Sequence, residues 1–91
     1  MVFLDIYAPA RQTEMLTDYL LEQGYSDFYL SACFQYGATN LLKSPKEQVS
    51  GRKDYAHLRL CLPEENARSL AQEIKARCAP SAIYLISVTA L

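Results

Sequence analysis

No apolar run in this 91-residue chain approaches the roughly 20 residues that a helix needs to cross a bilayer, so direct membrane insertion is not expected. The opening segment Met1-Val2-Phe3-Leu4-Asp5-Ile6-Tyr7 has no basic stretch and sets Asp5 among its apolar residues, which is not the pattern of a signal peptide. An excess of either charge is lacking too. Nine basic residues stand against ten acidic ones, for a net charge of −1. A nucleic-acid partner, which calls for a basic stripe to neutralise phosphates, is therefore not expected. Cysteine is limited to Cys33, Cys61 and Cys78, an odd set where a secreted disulfide framework uses an even one, and a reducing, cytoplasmic setting is expected. His57 is the single histidine, and no Ser, Cys or paired carboxylate accompanies it at a catalytic spacing. An enzyme is not expected. Internal repeats, low-complexity tracts and linkers are also missing.

What is present is ordinary for a globular domain: 51% hydrophobic residues and 21% charged. The length suffices for one core and one domain over residues 1–91. A domain this small buries only about 60–65% of the surface its unfolded chain exposes, so assembly is a natural source of further burial.

The hydrophobic period divides the chain. Val2, Leu4 and Ile6 alternate with Phe3, Asp5 and Tyr7 in a strand ended by Pro9. From Arg11 to Gln23 the period becomes helical, with Met15, Leu16, Tyr19 and Leu20 on one stripe and Gly24 as its C-terminal stop. Asp27 to Tyr36 reads as a strand again. Ala56 to Leu62 is a third, with Leu58, Leu60 and Leu62 on one side and His57, Arg59 and Cys61 on the other. Pro63-Glu64-Glu65 opens a second helix, since proline fits the first turn and acids favour it. Ala67, Leu70, Ala71, Ile74 and Cys78 form the stripe of that helix, and Ala82 to Ala90 is the last strand. The fold class is α+β: a ferredoxin-like βαββαβ order, with an antiparallel four-stranded sheet and two helices on one face.

That order leaves one sheet face without a helix layer. It carries Phe3, Asp5, Tyr7, Tyr29, Ser31, Cys33, Gln35, His57, Arg59 and Cys61, too aromatic for a plain solvated face. Tyr7, Tyr29 and Arg59 are the expected oligomer contacts, because tyrosines bury a ring while keeping a hydroxyl for a partner. Cys33, His57 and Cys61 share the face as well, and thiolate and imidazole suit zinc or copper, although free cysteines more often pack as small hydrophobes. No cofactor is expected, with copper or zinc as the exception this trio would make. Between the second and third strands lies a long polar connection at about 38–54. It holds the cations Lys43, Lys46, Arg52 and Lys53, with Glu47 and Gly51, and connections of this length are usually functional.

Gly37…Glu47-Gln48-Val49-Ser50-Gly51-Arg52 resembles the T-loop of PII-like signalling proteins, where a glutamate likewise stands four residues before a glycine. The Glu-Gln-Val-x-Gly-Arg string is similar to a small bacterial branch of that superfamily, typically encoded beside heavy-metal efflux systems. The resemblance implies a homotrimer and a non-enzymatic regulatory or adaptor role. It would be exerted through the loop on a partner protein or small ligand, with a membrane efflux component as the candidate the resemblance implies. Nucleotide binding in the family manner is not expected, because the joint Ala76-Arg77-Cys78-Ala79-Pro80-Ser81-Ala82 has none of the glycines that shape a phosphate cradle. The alternatives are a copper or zinc module built on Cys33, His57 and Cys61, and a dimeric small-molecule sensor domain of the ACT type.

Overall fold

The computed structural model describes residues 1–36, 52–78, 80 and 82–91. Its elements are β1 (Val2–Pro9), a 3₁₀ turn (Ala10–Gln12), α1 (Thr13–Glu22), β2 (Phe28–Tyr36), β3 (Arg52–Leu62), α2 (Glu64–Arg77) and β4 (Ala82–Ser87). The strands form one sheet in the order β2-β3-β1-β4, with every neighbouring pair antiparallel. This is the α+β, ferredoxin-like architecture expected from the hydrophobic periods.

The strand period of two sends Val2, Leu4, Ile6 and Ala8 to the helix side of β1, where all are buried. The β1–β3 register sets Leu4 against Leu60 and Ile6 against Leu58, and Leu16, Leu20, Leu70 and Ile74 close over them from the helices. Between the helices, the Tyr19 hydroxyl donates to Glu73 Oε2 at 2.6 Å, and the Arg77 guanidinium lies 4.5 Å above the same ring. Glu64 and Glu65 sit in the first turn of α2 and Lys75 and Arg77 in its last, each complementing the helix dipole.

Helix α1 stops in a Schellman motif. The Gly24 amide donates to the Leu21 carbonyl at 3.1 Å and the Tyr25 amide to the Leu20 carbonyl at 2.9 Å, which requires Gly24 at φ +89°. Nothing crowds a side chain at this position, so the backbone angle alone sets the cost of adding one. Gly24→Ala should lower stability by about 1 kcal/mol, read as a shifted urea midpoint with an unchanged slope.

Three boundaries and one buried position differ from the sequence expectation. Pro9 holds extended backbone (φ −54°, ψ 143°), so residues 10–12 take a tight 3₁₀ turn and α1 begins at Thr13 rather than Arg11. Met15 is half-exposed, because Leu16, Tyr19 and Leu20 suffice to fill the stripe. Strand β3 starts at Arg52, since β2 runs to Tyr36 and pairs with it there; Arg52, Lys53 and Asp54 therefore belong to the strand, not to the connection. Strand β4 stops at Ser87, opposite Val2, and beyond it the Val88 amide donates to the Met1 carbonyl at 3.5 Å.

Candidate functional site

The face of the sheet away from the helices is built around Asp5. Alternation on β1 points this side chain away from the leucines, yet it is only 2% exposed. The register explains why. Asp5 stands opposite Arg59 of β3 on one side and Tyr84 of β4 on the other, so three strands contribute to its cover. Arg59 Nε donates to Oδ1 and Nη2 to Oδ2, both at 2.7 Å, in a bidentate pair. His57 Nε2 lies 3.3 Å from the same Oδ2 but off the line of a hydrogen bond. Hydrogen bonds from Arg59 hold the Asp5 carboxyl below its ordinary value of 3.8, against the upward push of burial, with the charges of Arg59 and His57 adding to the drop.

Aromatic rings enclose this charged centre. Tyr7 stacks on His57 with centroids 4.5 Å apart and meets Tyr84 edge-on at 6.1 Å. The Arg59 guanidinium lies 4.4 Å over the Phe3 ring. Beside the stack, Tyr7, Cys33, Gln35, Tyr55 and Tyr84 line a shallow hollow of about 530 Å³. Tyr29, Tyr84 and Ile86 project from the face and are exposed. The face thus sets an ion pair made within the chain among uncovered aromatic and aliphatic side chains, which offer contact surface.

Of the expected oligomer contacts, Tyr7 and Arg59 lie at the centre of the face and Tyr29 on β2 at its margin. Tyr84 and Ile86 escaped the sequence reading. Their signal was present in the alternation of β4, where Ile83 and Leu85 turn to the core and leave the residues between them on the open face. Asp5 was placed on the right face, but its pairing with Arg59 needs the register and is not visible in either strand alone.

The structure does not bring the candidate metal ligands together. Cys33 is opposite Tyr55 and His57 opposite Ser31, so these two are diagonal neighbours. Cys61 lies six positions along β3 from Tyr55, about 20 Å from Cys33 at the rise of a strand. No group of three potential metal ligands forms among the described residues. Cys78 donates its thiol to the Ile74 carbonyl at 3.3 Å, and burial raises its pKa, as suits a packed cysteine. Lys43, Lys46, Glu47 and Gly51 lie outside the described residues. Arg52 and Lys53 open β3, with the Arg52 guanidinium 4.0 Å above the Phe34 ring. No helix among the described residues is long and apolar enough to cross a membrane.

A family model described as "Protein of unknown function (DUF3240)" matches residues 1–90. No curated protein matches the chain.

Proposed function

Since the chain belongs to the DUF3240 family, whose description assigns no activity, we propose a function from its open sheet face: a non-enzymatic regulatory or adaptor domain of the PII-like kind, assembling as a homotrimer through that face. The observation that carries the reading is the exposure of Tyr29, Tyr84 and Ile86 around the buried Asp5–Arg59 pair. Exposed aromatic anchors around a desolvated, already satisfied polar centre are the composition of an interface core. A general base, by contrast, must reach a substrate proton and be basic enough to take it, whereas the Asp5 carboxylate is buried and Arg59 lowers its pKa.

In this reading the cations Lys43 and Lys46 of the β2–β3 connection take an acidic partner protein or small ligand. The resemblance to the efflux-associated branch makes a membrane efflux component the partner to test first. Copper or zinc held by Cys33, His57 and Cys61 within one chain is disfavoured by the roughly 20 Å between the two thiols.

Light scattering on the purified protein tests the assembly. A mass of three chains, or a multiple of three, is expected. Tyr84→Asp places a charge on the exposed face without touching the helix-side core, and should remove the three-fold assembly while leaving the circular dichroism unchanged. A monomer or plain dimer at micromolar concentration, or a three-fold assembly indifferent to Tyr84→Asp, would rule the reading out.

A further inference from the structure

Among the described residues, strand β2 is an edge of the sheet, paired on its β3 side alone. Edges are normally guarded by charge, proline, a bulge or shortness, because an unpaired strand edge is a template for another chain. Among the described residues each of these guards is missing. The nine residues Phe28-Tyr29-Leu30-Ser31-Ala32-Cys33-Phe34-Gln35-Tyr36 include no charge, proline or glycine, and their pairing with β3 runs from Phe28 to Tyr36 without a bulge.

The helix layer also leaves much of this strand open. Leu30, Phe34 and Tyr36 face the helix side yet remain uncovered, and Tyr29 is uncovered on the other side; all four are between 47% and 76% exposed. Aromatic side chains bring roughly 150–250 Å² each, a large share of the ~800 Å² per partner of a standard interface.

We propose that the occupant of this edge is the β2 edge of a second copy, joined antiparallel about a two-fold axis at Ala32. The sequence of the strand is self-complementary about that residue. Leu30 would stand opposite Phe34 of the second copy, Phe28 opposite Tyr36, Ser31 opposite Cys33 and Tyr29 opposite Gln35. Every helix-side pair is then apolar, every pair on the other side is polar or mixed, and no like charges meet. The pairing satisfies the outward backbone groups of both strands and closes after two copies, since an isologous contact consumes the edge on each. The joint sheet has eight strands.

This inference stands apart from the open-face reading, because Leu30 and Phe34 are on the other side of the sheet from Tyr84. With both contacts in place the particle contains six chains; with the edge contact alone it contains two.

Cross-linking tests the register directly. In a chain with Cys33, Cys61 and Cys78 replaced by serine, Ala32→Cys should form an intermolecular disulfide under mild oxidation. Directly opposed Cα atoms lie about 4.5–5.5 Å apart, within disulfide reach. Gln35→Cys is the control on the same strand, because the two thiols would be about 20 Å apart and should stay reduced. In the native chain, Leu30→Lys should halve the particle mass and leave the melting of the domain cooperative. Equal cross-linking of the two cysteine variants, or a native particle with an odd number of chains, overturns the proposal. So does a mass that Leu30→Lys leaves unchanged.

Discussion

Leu58→Ala should remove about 3–4 kcal/mol of stability, within the range for a fully buried leucine truncated in a tight core. Leu58 is completely buried, sits on the central strand β3, and is flanked across the sheet by Ile6 on one side and Leu30 on the other. Neighbours fixed in strands on both sides cannot collapse into the space, so the cavity persists and its cost adds to the lost transfer energy. A 91-residue domain holds roughly 5–14 kcal/mol in total, so this one change consumes a large fraction of it. The melting temperature should fall by about 12 °C or more. Met15→Ala is the matched contrast on a half-exposed side chain, with an expected change of about 0.5 kcal/mol. Urea titrations at one protein concentration compare the two, because any assembly makes stability depend on concentration. Similar losses for the two variants would mean that the core is centred elsewhere.

The contrast between Leu58 and Met15 also shows what a sequence of this kind reveals. Alternation on β1 and β3, and the 3–4 spacing of Leu16, Tyr19 and Leu20, are local signals, and they specify the elements, the sheet faces and the buried leucines. Gly24 announces the end of α1 for the same reason, since its role is a backbone angle. Register is a property of two strands at once and is silent in each alone. Alternation puts Cys33 and Cys61 on one face, but the pairing of Cys33 with Tyr55 is needed to show how far apart they lie. The same limit hid the partner of Asp5. The start of β3 at Arg52 was obscured because Arg52, Lys53 and Asp54 read as polar connection, whereas an edge pair at the end of a hairpin tolerates charge.

Arg59→Ala should destabilise the domain at neutral pH, because it leaves the Asp5 carboxylate inside without its counter-charge. Among the described residues, the groups around that carboxylate are Arg59 and His57 from β3, Tyr84 from β4 and Tyr7 beside it on β1, and Arg59 hydrogen-bonds both its oxygens. His57 is 3.3 Å away but misaligned, and recovers part of the loss if it turns toward the vacated oxygen. The pH dependence separates this stranded charge from simple loss of packing on Phe3. In the native protein the Asp5 pKa is lowered below 3.8, so the unfolded chain takes up its proton first as pH falls. The contribution of the pair is therefore complete above that value and is lost as pH drops below it toward the folded pKa. In Arg59→Ala the carboxylate prefers to be protonated, so acid relieves the variant while it weakens the native chain. The two stability curves should converge below about pH 4 and diverge above it. Asp5→Asn added to Arg59→Ala replaces the stranded charge with a neutral amide of the same shape, and should recover much of the neutral-pH loss. Denaturation midpoints of the three variants from acid to neutral pH measure this. A deficit in Arg59→Ala that stays constant across that range, or a double variant no better than the single one, would show that Arg59 acts through its contact with Phe3 and not through Asp5.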